Sequence, residues 1–109
     1  MYIAVAGLVA GAGCSTARKP EGPRGKVEVI AHRGASAYAP ENTASSFRAA
    51  IDMGADWFEL DCTLTKDNEI VVIHDDDTER TTGVKANVCD LTLAEMKAMD
   101  AGAWFDPKF

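Results

Sequence analysis

Between residues 27 and 64 a β-branched run, a polar loop, a helical apolar face and a second strand-like segment follow in order. A chain so arranged closes as a βαβ unit with its two strands parallel. Residues 27–31 carry Val27, Val29 and Ile30 and lead into Ala31-His32-Arg33-Gly34, which predicts a buried strand with His32 at its C-terminal end. A loop over 35–42 follows. Asn42 or Thr43 can cap a helix over 44–53, in which Phe47, Ala50 and Ile51 share one face and Gly54 is the stop. In the second strand, 56–64, Trp57, Glu59, Asp61 and Thr63 face one way and Phe58, Leu60, Cys62 and Leu64 the other.

Only Lys66-Asp67-Asn68 and its flanks separate this strand from a third, 70–73, which delivers His74. So short a connection cannot make a parallel crossover, so strands 2 and 3 are expected as an antiparallel hairpin. With Asp67-Asn68 at the centre of the turn, Lys66 faces Glu69 and Asp61 faces His74, which gathers Glu59, Asp61 and His74 on one face. Residues 75–90 read as a polar loop. Thr92-Leu93-Ala94-Glu95 is a capping box opening a helix to about Met99.

The chain has 109 residues, 47% of them hydrophobic, as expected of a folded soluble domain. Its formal charge of -6 argues against a nucleic-acid partner, whose phosphates call for Lys and Arg. An eight-stranded α/β barrel takes roughly 250 residues, so this chain is too short to complete one. Residues 3–13 are apolar and uncharged, too short to span a bilayer and of the length of a signal-peptide core. Gly11-Ala12-Gly13-Cys14 resembles the bacterial lipoprotein cleavage box, although Gly11 stands where Leu is usual. The expected organisation is a signal peptide over 1–13, a flexible tether over 14–26 and a folded domain over 27–109. Cys14 would be lipidated, attaching an exported protein to a membrane of the bacterial periplasm or cell envelope; a plain secretory signal or a buried first element are the alternatives. Cys62 and Cys89 are expected as unpaired, partly buried thiols rather than a disulfide.

Glu59 and Asp61 form a carboxylate pair whose burial a hard cation such as Mg²⁺ or Ca²⁺ would offset, though E-x-D pairs are more often simply solvated. Apolar neighbours, Phe58 and Leu60, point to burial here. His32 and His74 each end a predicted strand, where α/β folds place their chemistry, and two imidazoles can serve as acid and base; singly, each would more often be a packed structural residue. Arg33 offers a fork suited to phosphate or carboxylate, or an ordinary surface ion pair. Together these groups describe a site for an anionic phosphate ester.

His32-Arg33-Gly34, Pro40-Glu41-Asn42-Thr43, Gly54-Ala55-Asp56 leading to Glu59-Leu60-Asp61, Thr65-Lys66-Asp67, Val71-Val72-Ile73-His74-Asp75 and Arg80-Thr81-Thr82 resemble, in order and spacing, the opening of a glycerophosphodiester phosphodiesterase. The resemblance implies the N-terminal portion of a phospholipase-C-like TIM (β/α)8 barrel, which makes the chain part of a larger enzyme. It implies metal-dependent hydrolysis of glycerophosphodiesters to glycerol 3-phosphate and an alcohol. His32 and His74 would be the acid–base pair, Arg33 would hold the phosphate, and Glu59 and Asp61 would ligate one divalent cation, Ca²⁺ or Mg²⁺. Glu41 and Asn42 would order their loop beside the site. Where the family has an apolar residue before Arg80, this chain has Asp76-Asp77-Thr78-Glu79, so the loop is expected to lack its packing anchor. A sphingomyelinase-D-like phospholipase and a non-catalytic envelope lipoprotein that binds anionic headgroups are the alternative readings.

Overall fold

A computed structural model describes residues 27–109; the expected signal peptide, the tether and Cys14 lie outside them. Strands β1 (Ile30–Ala31) and β2 (Trp57–Phe58) pair in parallel, with Ile30 opposite Trp57 and Ala31 opposite Phe58, and helix α1 (Ala44–Asp52) makes the crossover. Thr43 caps α1 in a reciprocal box: its hydroxyl accepts from the Ser46 N–H and the Ser46 hydroxyl accepts from the Thr43 N–H, both at 3.3 Å. The helix packs on β2 through Phe47, whose ring stacks on Phe58 with centroids 4.8 Å apart.

Burial here departs from expectation. The first strand is two residues long and exposed, with Val27, Val29 and Ile30 open to solvent, because among the described residues β2 is its one neighbour. Ile51 is exposed as well; α1 buries a stripe of Ser46, Phe47 and Ala50, and Ile51 falls on its flank.

The second strand is not continuous. The Glu59 N–H still donates to Ala31 O at 2.9 Å, but the Asp61 N–H turns to the Asn42 side chain, which ends the ladder. The chain resumes as β3 (Cys62–Leu64), paired antiparallel with β4 (Ile70–Val72) in a separate two-stranded sheet. Phe58, Leu60, Cys62 and Leu64 are exposed, against the burial expected of them.

The hairpin between strands 2 and 3 is present, but its register is one residue off. Cys62 faces Val72, and the Ile73 N–H donates to Asp61 O at 3.0 Å, so Asp61 faces Ile73 rather than His74. Thr65 causes the slip. Its N–H donates to Glu69 O, its hydroxyl donates to Asp67 Oδ1 at 2.6 Å and accepts from the Glu69 N–H, and Asn68 takes a left-handed φ of 61°. The turn therefore spends three residues where two were expected.

Residues 75–90 are more ordered than a polar loop. They contain helix α2 (Glu79–Thr82), a bridge between Asp77 and Asn87, and a 3-10 turn at Val88–Asp90. Thr78 is fully buried and its hydroxyl donates to Val84 O at 2.6 Å, so a satisfied threonine supplies the anchor that the loop was expected to lack. Helix α3 (Leu93–Lys97) opens with the expected capping box at Thr92 and Glu95 and stops short of Met99. Asp67 ties the hairpin to it, accepting from the Leu93 N–H at 3.0 Å. The core lies between β4 and α3: Val71 and Ile73 pack with Val88, Met96 and Ala101. Cys62 and Cys89 are unpaired, as expected, but exposed.

Candidate active site

After β1 the chain reverses through two left-handed residues, Arg33 at φ 56° and Gly34 at φ 79°. A Cβ on Gly34 would stand 2.7 Å from the Ser46 carbonyl carbon, so the turn sits against α1 at a distance only glycine allows. The Arg33 carbonyl accepts from the Ser46 hydroxyl and from the Asn42 N–H, each at 3.0 Å. The backbone of Arg33 is thus fixed before its side chain does anything.

Three acidic residues converge on Arg33. Glu59 Oε2 accepts from the Arg33 backbone N–H at 3.0 Å, and His32 Nε2 lies 3.9 Å from the same oxygen. Asp61 Oδ2 lies 3.2 Å from Arg33 Nε at an angle that does not make a hydrogen bond, which leaves this buried N–H without an acceptor among the described residues. Arg33 Nη1 donates to Glu41 Oε1 at 3.0 Å. Asn42, buried and at φ 57°, holds Asp61 by side chain and backbone. His32, Arg33, Glu41, Asn42, Glu59 and Asp61 therefore form one cluster at the end of β1.

His74 joins it differently from the cross-strand pairing expected. It is exposed, and its Nδ1 lies 2.7 Å from Asp75 Oδ1. Asp75 Oδ2 accepts from Arg80 Nε at 2.6 Å, and Arg80 grips both oxygens of Glu41 at 2.7 and 3.0 Å. Alternating charges thus run from Asp61 through Arg33, Glu41 and Arg80 to Asp75, which meets the His74 imidazole. The Arg80 hydrogen bond, with His74 second, holds the Asp75 carboxyl down at about 2. Arg80 likewise keeps the Glu41 carboxyl below its usual range, with Arg33 adding to the effect against partial burial. Sequence reading gave Asp75 and Arg80 no role. The signal available was the acid–base pairing of two residues five apart, but its partner Glu41 lies 39 positions away.

Glu59 Oε1 and Asp61 Oδ1 take no hydrogen bond from the described residues, and these two hard oxygens fit part of the ligand set of Mg²⁺ or Ca²⁺. Among the described residues no third acidic, histidine or cysteine side chain completes a cage with them.

The pattern described as the glycerophosphoryl diester phosphodiesterase family matches residues 32–109. The chain belongs to this family. A glycerophosphodiester phosphodiesterase of Caldanaerobacter subterraneus is 52% identical over 84 residues, covering 77% of this chain and 35% of that protein. The crystal structure of a glycerophosphodiester phosphodiesterase from Agrobacterium tumefaciens aligns with a TM-score of 0.75 at 39% identity, over 77% of this chain and 36% of that one. An Oleispira antarctica phosphodiesterase, in complex with the product sn-glycerol-3-phosphate, aligns with a TM-score of 0.73 at 43% identity, over 75% and 33%. The chain spans about a third of the length of such relatives, and its fold is a piece of the family's TIM barrel. Of the two phosphodiester-cleaving families that the motifs left open, the match selects the glycerophosphodiester phosphodiesterases.

Proposed function

We propose that the protein carrying this chain hydrolyses glycerophosphodiesters to glycerol 3-phosphate and an alcohol, using one divalent cation, Ca²⁺ or Mg²⁺. The observation that carries the reading is Arg33. Its guanidinium is held by Glu41 at 3.0 Å and lies 3.2 Å from Asp61, within the cluster that also brings in His32 and Glu59, and a fork fixed in this way suits the oxygens of a phosphate. The product bound to the Oleispira relative, sn-glycerol-3-phosphate, is what such a reaction would release.

Glu59 and Asp61 would hold the cation, which when bound neutralises the charge that develops on phosphoryl oxygen. In the first step the neighbouring glycerol hydroxyl attacks phosphorus, forming one P–O bond as the bond to the alcohol breaks. One imidazole takes the hydroxyl proton and the other protonates the departing alcohol, His32 and His74 dividing these roles. Water then opens the cyclic phosphate with the two roles exchanged, leaving glycerol 3-phosphate. Because Nδ1 of His74 faces Asp75, Nε2 is the nitrogen it has for proton exchange.

The test is release of glycerol 3-phosphate from a glycerophosphodiester by the product of the intact reading frame. Activity should disappear with a chelator and return with Ca²⁺ or Mg²⁺. No release under either metal would leave a non-catalytic headgroup-binding lipoprotein as the reading. For location, the proposal is export with a lipid on Cys14, supported by the apolar run before it. Labelled fatty acid should enter the protein in a bacterial host and should not enter Cys14→Ala; equal labelling of both would rule the anchor out.

A further inference from the structure

Arg80 has no part in the reaction just proposed, yet every face of its guanidinium is in use. Nε donates to Asp75 Oδ2 at 2.6 Å, while Nη1 and Nη2 donate to the two oxygens of Glu41 at 3.0 and 2.7 Å. Its flat face lies 5.7 Å from the centroid of the Trp104 ring, which is itself tied by its indole N–H to Ala101 O at 3.0 Å. Each carboxylate that Arg80 grips has a second partner at the candidate site. Asp75 Oδ1 meets His74 Nδ1 at 2.7 Å, and Glu41 Oε1 meets Arg33 Nη1 at 3.0 Å.

We propose that Arg80 is a positioning residue that registers His74 against Arg33, fixing the imidazole through Asp75 and the guanidinium through Glu41. An ionised carboxylate only accepts, so an Asp75 held still against Nδ1 keeps the proton there and leaves Nε2 for exchange. An Asp75 free to rotate would lose that control. Arginine is required because one planar fork serves both carboxylates at once, whereas a lysine ammonium has neither that reach nor that geometry. The kinetic consequence rests on the proposed phosphodiesterase activity; the effect on His74 does not.

The experiment compares Arg80→Met, Arg80→Lys and Asp75→Asn with the parent in the intact protein. Nitrogen-15 spectra of the imidazoles, with His74 assigned from a His74→Gln control, should show His74 as the Nδ1–H tautomer in the parent. In Arg80→Met they should show a mixture of tautomers, with Arg80→Lys between the two. Activity of Arg80→Met should fall in kcat by roughly tenfold, the scale of losing an outer-shell partner, with KM raised as Arg33 loosens. Asp75→Asn leaves the Glu41–Arg33 contact in place and should lower kcat with KM unchanged. An unchanged His74 tautomer in Arg80→Met, or a rate loss that merely follows the fraction unfolded, overturns the proposal. Should the Met variant not fold, the Lys variant decides on the same spectrum. The tautomer change in a protein with no phosphodiesterase activity would sink the proposed function and leave the positioning role standing.

Discussion

Asn42 and Asp61 hold each other by two bonds: the Asn42 Nδ2–H donates to Asp61 Oδ2 at 3.0 Å, and the Asp61 backbone N–H donates to Asn42 Oδ1 at 3.2 Å. The carboxamide is read from both ends, one as donor and one as acceptor, and the residue occupies a left-handed φ of 57° that asparagine tolerates better than most. Asn42→Ala removes both bonds and leaves a carboxylate short of a donor. In the intact protein its unfolding free energy in urea should fall by roughly 2–4 kcal/mol, the range for a hydrogen bond to a charged group plus a neutral one. Asn42→Asp should fall further, because it sets a second carboxylate against Asp61. A loss under about 0.5 kcal/mol, the scatter of ordinary surface changes, would show that the pair contributes little.

The same pair shows what the sequence can and cannot disclose. Period and turn chemistry were enough for the βαβ unit, the hairpin, the Thr92–Glu95 box and a helix cap at Asn42 or Thr43, of which the structure uses Thr43, because each element and each cap is set by residues near one another and the order of elements sets the pairing. The break after β2 was hidden, since it is made by a side chain 19 positions away that takes the Asp61 N–H out of the ladder. The register slip has a local cause, the Thr65 hydroxyl bridging Asp67 and Glu69, but a two-residue turn was the simpler reading of Asp67-Asn68. The face expected to collect Glu59, Asp61 and His74 does not form; Glu59 and Asp61 meet at Arg33 instead, and His74 is joined through Asp75 and Arg80. Adjacency in sequence placed Arg33 beside His32 and could not place Glu41 between two arginines.

The network also carries a pH dependence of known sign. Arg80 first and His74 second lower the Asp75 carboxyl from its ordinary 3.8 to about 2. A group depressed on folding contributes stability that is complete above its unfolded value and is lost as pH falls through its folded one. The Asp75 contribution should therefore be intact above about pH 4 and drain away toward pH 2, and Glu41 is displaced in the same direction. Other carboxylates, Asp67 among them, shift the same way, so the decisive quantity is the stability difference between the parent and Arg80→Met. Urea unfolding of the intact protein at stepped pH should show that difference constant near neutrality and shrinking below about pH 4. A difference that grows with acid would contradict the assignment.

Exposed apolar surface predicts the behaviour of the 109-residue chain expressed by itself. Ile30, Trp57, Phe58, Leu60, Leu64 and Ile70 are all open to solvent, and they lie on or beside short strands whose sheets have two members each. Strand edges with unpaired N–H and C=O groups beside apolar side chains template association with further copies. Size-exclusion chromatography should find this chain aggregated or only partly folded. A monomer with a sharp cooperative melt would mean that these surfaces are tolerated without cover.

Separating metal binding from proton transfer is the most direct test of the site residues, and it belongs in the intact protein. If Glu59 helps hold the cation, Glu59→Gln weakens metal affinity, so activity should fall at ordinary metal concentration and partly return when metal is in excess. His74→Ala removes a proton-exchanging group, a loss on the order of 10² to 10⁴ in rate, which no amount of metal can replace. Among the described residues His74 makes no hydrogen bond to Glu59 or Asp61, its Nδ1 meeting Asp75 instead, so its removal should leave metal affinity unchanged in a direct titration. The identity of the acid then follows from the leaving group. An alcohol acidic enough to depart unprotonated should restore rate in whichever histidine variant, His32→Ala or His74→Ala, has lost the donor, and not in the other. Metal rescue of His74→Ala equal to that of Glu59→Gln, or full activity in both histidine variants, would show the roles to be assigned wrongly.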